Sequence, residues 1–137
     1  MGDVSKNMEK AINNLDDALM KGVEKVCQTI ENSAKRKCPK DDGILRASIT
    51  HWVSELLMAG FVGTNVEYAP YVHEGTGIYA NNGNGRKEVP WLYKDEKGKW
   101  HSTKGQKPNP FLLDAIKETQ GDIIKILGEE ARTEWMN

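Results

Sequence analysis

The chain of 137 residues is long enough for one domain with a hydrophobic core and too short for two independent cores. Its 38% hydrophobic and 28% charged residues are ordinary for a soluble protein. The formal net charge of -1 and the pI near 6.3 lack the basic surplus that neutralises phosphates, so we expect no specific nucleic-acid binding.

The small net charge hides an alternation of sign along the chain. Residues 1–40 carry eight Lys and Arg against six Asp and Glu, residues 41–78 one against five, residues 79–108 seven against three, and residues 109–137 three against six. Such a pattern is compatible with a self-complementary surface, on which a basic loop of one copy faces an acidic patch of the next. Simple solvated faces explain the pattern as well and are its more common cause.

Signals for targeting and for disulfides are sparse. The first ten residues lack the apolar run of a secretory signal, and no stretch approaches roughly 18 apolar residues. We therefore expect a protein that is made in the cytosol, is not secreted and has no membrane span. Cys27 and Cys38 are the only cysteines, too few for a disulfide framework.

The histidines do not form a metal-binding pattern. His51, His73 and His101 lie far apart in the sequence, which leaves open only a site assembled in space. His73 and Glu74 are adjacent, and adjacent residues on a helix point apart, so we discount them as a metal or acid/base pair. We predict no metal, no cofactor and no catalytic residue.

A long amphipathic helix is predicted at the start of the chain. Apolar side chains recur every three or four positions from Val4 to Ala34, which is the period of one helical face. The basic run 35–37 and Pro39 indicate that the helix ends near Cys38. Such a helix spans roughly 45 Å, longer than a small domain needs, so we expect one end to project or to pack along a neighbour.

Two strands are predicted next. Leu45, Ala47, Ile49, His51 and Val53 alternate with Arg46, Ser48, Thr50, Trp52 and Ser54 after a turn at residues 41–43, which indicates a half-buried strand. The apolar run 57–64 is expected to pair with this strand as an antiparallel hairpin.

A short helix is expected to follow the hairpin. It is predicted to start at Gly63 and Thr64, a run typical of a strand end and a helix cap, and to end at Gly75, where positive φ is available. Tyr68 and Tyr71 fall on one face of this helix. They form either an aromatic contact surface or, the interpretation that we prefer, a packing contact with the sheet.

Residues 79–107 are rich in Gly, Asn and Lys and are predicted to form a flexible insertion. Within it, residues 89–94 and 99–103 flank a glycine-containing turn, which predicts a protruding hairpin. An isolated two-stranded hairpin is marginally stable in water, so its aromatic side chains must pack on the domain or on a partner. These aromatic residues are Trp91, Tyr93 and Trp100.

The last element is predicted to be a second amphipathic helix. Asn109 is expected to cap it, Pro110 to occupy its first position, and the apolar period from Phe111 to Trp135 to close the core. The whole chain, residues 1–137, is therefore predicted to be a single α+β domain. Its N-terminal and C-terminal helices pack on a small antiparallel sheet, and a hairpin protrudes from it.

Three ordered segments resemble the motifs of a known family. Residues 39–49, PKDDGILRASI, are similar to P-x-D-T-G-x-L-R-x-S-I; residues 62–77, VGTNVEYAPYVHEGTG, to V-G-T-x-x-x-Y-A-x-Y-x-x-x-G-T; and residues 107–112, KPNPFL, to P-x-P-F-L. The chain thus resembles the small phage tail-component proteins named after gene product ten of the lambdoid phage HK-ninety-seven. Asp42 departs from the usual Thr but keeps a polar acceptor. The motif and assembly candidates are Gly43, Leu45, Arg46, Ser48, Gly63, Thr64, Tyr68, Ala69, Tyr71, Glu74, Gly75, Thr76, Trp91, Trp100, Pro108, Pro110 and Phe111.

The resemblance implies an α+β domain that helps to build the neck or tail of a long-tailed phage or prophage. It implies head-tail joining or tail completion by copies assembled in a ring, in the host cytoplasm and then in the virion, with other neck or tail proteins as partners and no catalysis. We further hypothesise that the basic hairpin at residues 89–103 reaches the acidic region 41–78 of a neighbouring copy.

Two alternative functions compete with this interpretation. A small metal-dependent phage nuclease would use His51, His73, Glu74 and His101 around a metal or as acid and base. An adaptor that binds a host protein would use exposed tryptophans at Trp91 and Trp100.

Overall fold

The computed structural model describes residues 2–81, 83, 85–95 and 97–136, and the side chains of residues 2–4 and 134–136 are not described. The expectations for the side chains of Val4 and Trp135 therefore lie outside the described residues, as do Asn82, Asn84 and Glu96. In chain order the elements are α1 (Gly2–Lys37), α2 (Gly43–Ser48), β1 (Thr50–Ser54), β2 (Ala59–Gly63), α3 (Ala69–Glu74), a 3-10 turn (Gly77–Tyr79), β3 (Trp91–Lys94), β4 (Trp100–Thr103) and α4 (Phe111–Met136). The fold is α+β, as predicted.

The two long helices, α1 and α4, pack antiparallel. The Ser33 hydroxyl donates to the Glu118 carboxylate at 2.5 Å, while Lys25, two turns earlier on α1, pairs with Glu130 much later on α4. Between them the helices approach closely, because a Cβ added to Gly22 would lie 2.6 Å from a methyl group of Leu127. The contact between α1 and α4 is the most extensive one between two elements of the fold.

The N-terminal end of α1 projects beyond its partner. Helix α1 has 36 residues and spans about 54 Å, whereas α4 has 26 residues and spans about 39 Å. The antiparallel register places the end of α4 near Leu15, so the preceding turns of α1 have no α4 residue beside them. Met8 and Ile12 on these turns are 60% and 56% exposed. The expectation of a projecting helix end is confirmed.

Residues 43–48 form the helix α2, so the prediction of a strand from Leu45 is wrong for its first half. The Asp42 side chain accepts a hydrogen bond from the Leu45 N–H at 2.9 Å and caps this helix. Leu45 and Ile49 are both buried and are four residues apart, a spacing that fits a helical face as well as a strand face. A segment this short does not distinguish the two periods.

The predicted antiparallel hairpin of β1 and β2 is confirmed. Its register pairs His51 with Val62 and Trp52 with Phe61, so the first pair faces α1 and the second faces outward. Gly60 lies on the inner face, where an added Cβ would come within 2.8 Å of a Val23 methyl group. Only glycine lets the strand pack so closely on α1.

The core lies where α1 ends and α4 begins. It is formed by the C-terminal half of α1, by α2 and α3, and by the first turns of α4, so the prediction that the last helix closes the core is confirmed. Its buried members are Val26, Ile30, Ala34, Cys38, Leu45, Ile49, Ala69, Val72, Phe111 and Ala115.

Two predicted helix starts are wrong by one to several residues. Helix α3 begins at Ala69 and not at Gly63 or Thr64. The Thr64 hydroxyl does not cap it, because this hydroxyl accepts from the Val66 N–H at 3.1 Å within an extended loop. Asn109 does not cap α4. Its side-chain amide instead donates to the Lys37 carbonyl oxygen at 3.1 Å and ties the start of α4 to the end of α1. The Pro110 carbonyl accepts the first helical hydrogen bond of α4.

The second predicted hairpin, β3 with β4, is also present. Asp95 organises its turn by accepting from the N–H groups of Lys97 and Lys99 at 2.9 and 2.8 Å, and Gly98 supplies the positive φ of 82°. At the base, the Thr76 N–H donates to the Gln106 carbonyl at 2.9 Å. The strands themselves carry largely exposed side chains, so the hairpin protrudes from the domain.

Candidate assembly surface

The three motif segments, residues 39–49, 62–77 and 107–112, meet in space. The Ser48 and Thr64 hydroxyls are hydrogen bonded at 2.5 Å, and the Tyr68 hydroxyl donates to Asp42 at 2.8 Å, which joins the first two segments. The Asn109 N–H donates to the carbonyl of Val72 at 2.9 Å and joins the third. Segments far apart in sequence therefore form one joint at the end of the helix pair.

Most motif side chains hold this joint together from inside. Leu45, Ala69 and Phe111 are buried in the core. Arg46 donates to the carbonyl oxygens of Pro39 and Lys40 at 3.3 and 3.0 Å, which satisfies backbone groups just beyond the end of α1. These residues are engaged within the domain.

The motif glycines divide into two kinds. Gly75 has a φ of 85°, and a Cβ there would lie 2.8 Å from the Tyr79 carbonyl oxygen and 2.9 Å from Pro108. Backbone conformation and space both require glycine at this position. Gly43 and Gly63 instead have negative or extended φ, with no described atom within 4 Å of an added Cβ. The Thr76 hydroxyl accepts a hydrogen bond from the Gln106 N–H at 2.8 Å and so holds the segment before Pro108 beside this turn.

An apolar groove opens beside the joint. It has a volume of about 610 Å³ and lies between the loop at residues 63–67, the α3 helix and the first turns of α4. Its apolar lining consists of Val66, Ala69, Pro70, Phe111, Leu112, Leu113 and Ile116. Leu113 and Ile116 are 45% and 41% exposed, so part of this apolar surface is open to solvent.

His73 and Glu74 form a wall of this groove, and the prediction that they point apart is wrong. The His73 Nδ1 lies 2.6 Å from Glu74 Oε1, and its Nε2 accepts from the Leu113 N–H at 3.5 Å. The ring packs edge-on against Phe111 with centroids 5.5 Å apart. The hydrogen bond from His73, helped by one from Asn81, lowers the pKa of Glu74, so this carboxylate is ionised at neutral pH.

Neither tyrosine of the second motif is buried, whereas our preferred interpretation was a packing contact with the sheet. Tyr68 and Tyr71 are 39% and 64% exposed. Tyr71 lies across α3 from the apolar groove and lines a smaller cavity of about 220 Å³ together with Arg86 and Trp91. The Arg86 guanidinium lies 5.2 Å from the centre of the Trp91 ring, a cation–π distance.

The outer face of the second hairpin is uncovered. The register pairs Leu92 with Ser102 and Lys94 with Trp100, which places these four side chains on the same face. Leu92 is 69% exposed and Trp100 is 63% exposed, with the Lys94 ammonium 6.0 Å from the Trp100 ring centre. The opposite face holds Tyr93, which stacks on its cross-strand neighbour.

The first hairpin presents a second apolar surface, which the sequence analysis missed. Trp52 and Phe61 stack on its outer face with centroids 5.4 Å apart, and Leu56 and Leu57 at the turn are 94% and 66% exposed. A signal was present in the sequence. Trp52 occupies a solvent-facing position of the alternating pattern, where a polar residue is usual.

The three histidines pair with carboxylates on separate elements. His51 lies between Glu24 and Glu31 of α1, at 2.6 and 3.1 Å, and His101 bonds to Asp95 in the second hairpin at 2.7 Å. The hydrogen bond to Glu24 raises the pKa of His51, burial acts against it, and Glu31 adds to the rise. Within the described part of the chain, no group of three His, Cys, Asp or Glu side chains is arranged to hold a metal.

No helix in the described ranges is long and apolar enough to cross a membrane. No protein-family model, curated protein or solved structure matches the chain. The resemblance of the three segments to the phage family therefore stays a prediction.

Proposed function

We propose that this protein is a structural component of the neck or tail of a long-tailed phage or prophage. It acts in head-tail joining or tail completion, as copies that assemble in a ring in the host cytoplasm and then form part of the virion. Other neck or tail proteins are its remaining partners, and it performs no catalysis. The ordered resemblance of three segments supports the class of function.

The observation that carries the proposal is that two separate hairpins present large apolar side chains to solvent. Trp52, Phe61 and Leu56 cluster on the first hairpin, and Leu92 and Trp100 on the second. Exposed apolar clusters of this kind mark surfaces that contact other proteins. A subunit in a closed ring touches two neighbours, and the uncovered hairpins offer surface for such contacts.

A binding adaptor for a host protein is the second candidate. The 63% exposure of Trp100 favours it as well, because tryptophan is enriched among the residues that dominate binding energies. The two candidates differ in the partner. An assembly protein finds its partners in the virion, whereas an adaptor forms a stable complex with a host protein in the absence of other phage proteins.

Electron microscopy of lysates tests the proposal. A phage or induced prophage carrying an in-frame deletion of this gene is compared with the same phage supplied with the gene in trans. We expect filled heads separated from tails, or tails of abnormal length, in the deletion alone. Normal infectious particles in the deletion would overturn the assembly function and favour the adaptor.

Complementation by point variants sharpens this test. Trp52→Ser with Leu56→Ser removes the apolar surface of the first hairpin, and a matched pair of surface changes on α4, Gln120→Ser with Lys117→Ser, leaves it intact. Both pairs of positions are exposed. We expect only the first pair to fail in rescuing the deletion, with both variants folded by circular dichroism.

A further inference from the structure

We propose that the outer face of the β3–β4 hairpin docks into the apolar groove of the next copy, with Trp100 as the anchor. Lys94, Lys97 and Lys99 then face Glu67 and Glu74 at the rim of that groove. This inference rests on the proposed assembly function and adds to it the two surfaces that meet and the head-to-tail direction of the contact.

The hairpin has the character of a docking element. Leu92 and Trp100 lie on one face of the hairpin, and each is more than half exposed. A two-stranded hairpin is marginal in water unless one of its faces is covered. Burying an indole and a leucine on a neighbour removes apolar surface from water and stabilises the hairpin at the same time.

The groove has the character of a receptor for such a face. Its volume of about 610 Å³ falls within the range of roughly 300–1,000 Å³ that is typical of sites enclosing a bound molecule. Val66, Pro70, Leu112, Leu113 and Ile116 supply apolar walls. A tryptophan that enters such a groove is largely desolvated, which is the setting in which aromatic anchors contribute most to affinity.

The charges around the two surfaces are complementary. Lys94, Lys97 and Lys99 are exposed on the hairpin, and Glu67 and Glu74 are exposed at the groove. The sequence segments that contain these residues carry net charges of the same signs. Residues 41–78, which contain the two glutamates, have one Arg against five acids, and residues 79–108, which contain the three lysines, have seven Lys and Arg against three acids. Complementary rims orient an encounter and disfavour the opposite docking direction.

The position of α3 favours contact between copies over contact within one chain. Pro70, His73 and Glu74 face the groove, whereas Tyr71 and Gly75 line the cavity that leads to Trp91 at the base of the hairpin. The hairpin thus leaves the domain on the side of α3 away from its own groove. Such a hairpin-to-groove contact is head-to-tail, and head-to-tail contacts between identical subunits close into a ring when the rotation per copy divides a full turn.

A charge exchange tests the pairing through complementation of the gene deletion. Variant one is Lys94→Glu, Lys97→Glu, Lys99→Glu; variant two is Glu67→Lys, Glu74→Lys; variant three combines all five. We expect variants one and two each to lower the infectious titre on the order of tenfold or more, and variant three to recover most of it. A matched reversal on α4, Lys117→Glu with Lys125→Glu, should leave the titre unchanged.

Each outcome of the exchange decides something different. If variant three is no better than variants one and two, the hairpin and groove do not pair, and the lysines face another neck protein or a host protein. If variant one alone keeps the full titre, the pairing is also overturned. Neither result touches the assembly function, which fails only if the complete deletion yields normal particles.

A cysteine pair tests the contact without relying on charge. Ser102→Cys lies on the face of Trp100, and Asn65→Cys lies at the groove, while the native thiols Cys27 and Cys38 are buried. In purified particles we expect oxidation to link chains into a ladder on a non-reducing gel only when both cysteines are present. Replacing Asn65→Cys by Gln120→Cys should abolish the ladder. A double variant that assembles but never cross-links would overturn the docking.

Discussion

The joint of the three motif segments and the two hairpins use their apolar residues in opposite ways. At the joint, Leu45, Ala69 and Phe111 are buried, and the polar residues around them are hydrogen bonded to one another. On the hairpins, residues as large as Trp52 and Trp100 are more than half exposed. The joint therefore accounts for the stability of the subunit, and the hairpins provide the surface for partners. Substitutions at the joint should therefore change the stability of the subunit, and substitutions on the exposed faces of the hairpins should change its contacts with partners.

The largest expected effect is at the centre of the joint. Phe111→Ala should lower the free energy of unfolding by about 3–5 kcal/mol, because the fully buried ring leaves a cavity. Leu92→Ala on the hairpin, where the side chain is 69% exposed, should change it by less than about 0.5 kcal/mol. Urea denaturation followed by circular dichroism measures both. Equal losses would mean that the hairpin belongs to the cooperative core.

The two kinds of motif glycine give the next largest contrast. Gly75→Ala should cost about 1–3 kcal/mol, because alanine is strained at a φ of 85° and its Cβ would meet the Tyr79 carbonyl oxygen. Gly43 is the first residue of α2, and an added Cβ there would meet open space. Gly43→Ala should therefore be neutral or stabilising by up to about 1 kcal/mol. Thermal unfolding distinguishes them. A destabilised Gly43→Ala would show that the open space is filled by a group from elsewhere.

How far the sequence predicts the fold depends on the length of each periodic pattern. Helix α1 was predicted well because its apolar period repeats over about thirty residues. The segment from Leu45 to Ile49 was predicted wrongly because five residues fit both periods, and the Asp42 cap decides for a helix. The local pattern at Asn109 predicts a helix cap. The side chain instead donates to the Lys37 carbonyl, which lies 72 residues earlier in the chain and is therefore invisible to a local pattern.

The candidate surface was predictable only in part, for the same physical reason. The basic hairpin with its exposed Trp100 is one continuous stretch of sequence, so composition and turn residues revealed it. The apolar groove is built from the loop at 63–67, from α3 and from α4, which folding brings together from distant parts of the chain. The charge pattern indicated the acidic region 41–78 as the partner of the hairpin, but local patterns carry no information about the apolar groove that this region forms with α4.

A smaller loss of stability is expected at Asp42, which is hydrogen bonded to Tyr68 and so joins the first two motif segments. Asp42→Ala should destabilise the protein by about 1–2 kcal/mol, because α2 loses its cap and Tyr68 loses its acceptor. Asp42→Thr, which introduces the residue usual in the family pattern, should recover most of the cap. Tyr68→Phe removes the hydroxyl that donates to Asp42 and leaves the cap of α2 in place. If Asp42→Ala is as stable as the parent, the cap contributes little and burial of Leu45 alone holds α2 in place.

The smallest expected effect is a pH dependence of the contact between β1 and α1. Because Glu24 and Glu31 raise the pKa of His51, the imidazolium adds stability that is complete below its ordinary pKa of 6.5 and is lost as pH rises through the raised value. Burial acts to raise the pKa of Glu31, but the hydrogen bonds and charges of His51 and Lys35 together outweigh it and lower that pKa. The stability that Glu31 contributes is therefore present above its ordinary pKa and is lost as pH falls through the lowered value.

Thermal unfolding across this range separates the two titrations. The melting temperature of the parent protein should fall as pH rises above the ordinary His51 pKa of 6.5 and through the raised pKa. His51→Gln, which cannot titrate, should remove that slope and reduce the slope on the acid side, where Glu31 keeps its bond to Lys35. Glu24→Gln should weaken the upper slope without abolishing it, because Glu31 still faces His51. An unchanged upper slope in His51→Gln would place the titrating group elsewhere. The hydrogen bonds from His51 to Glu24 and Glu31 would then hold the helix-facing side of the first hairpin without a measurable charge contribution.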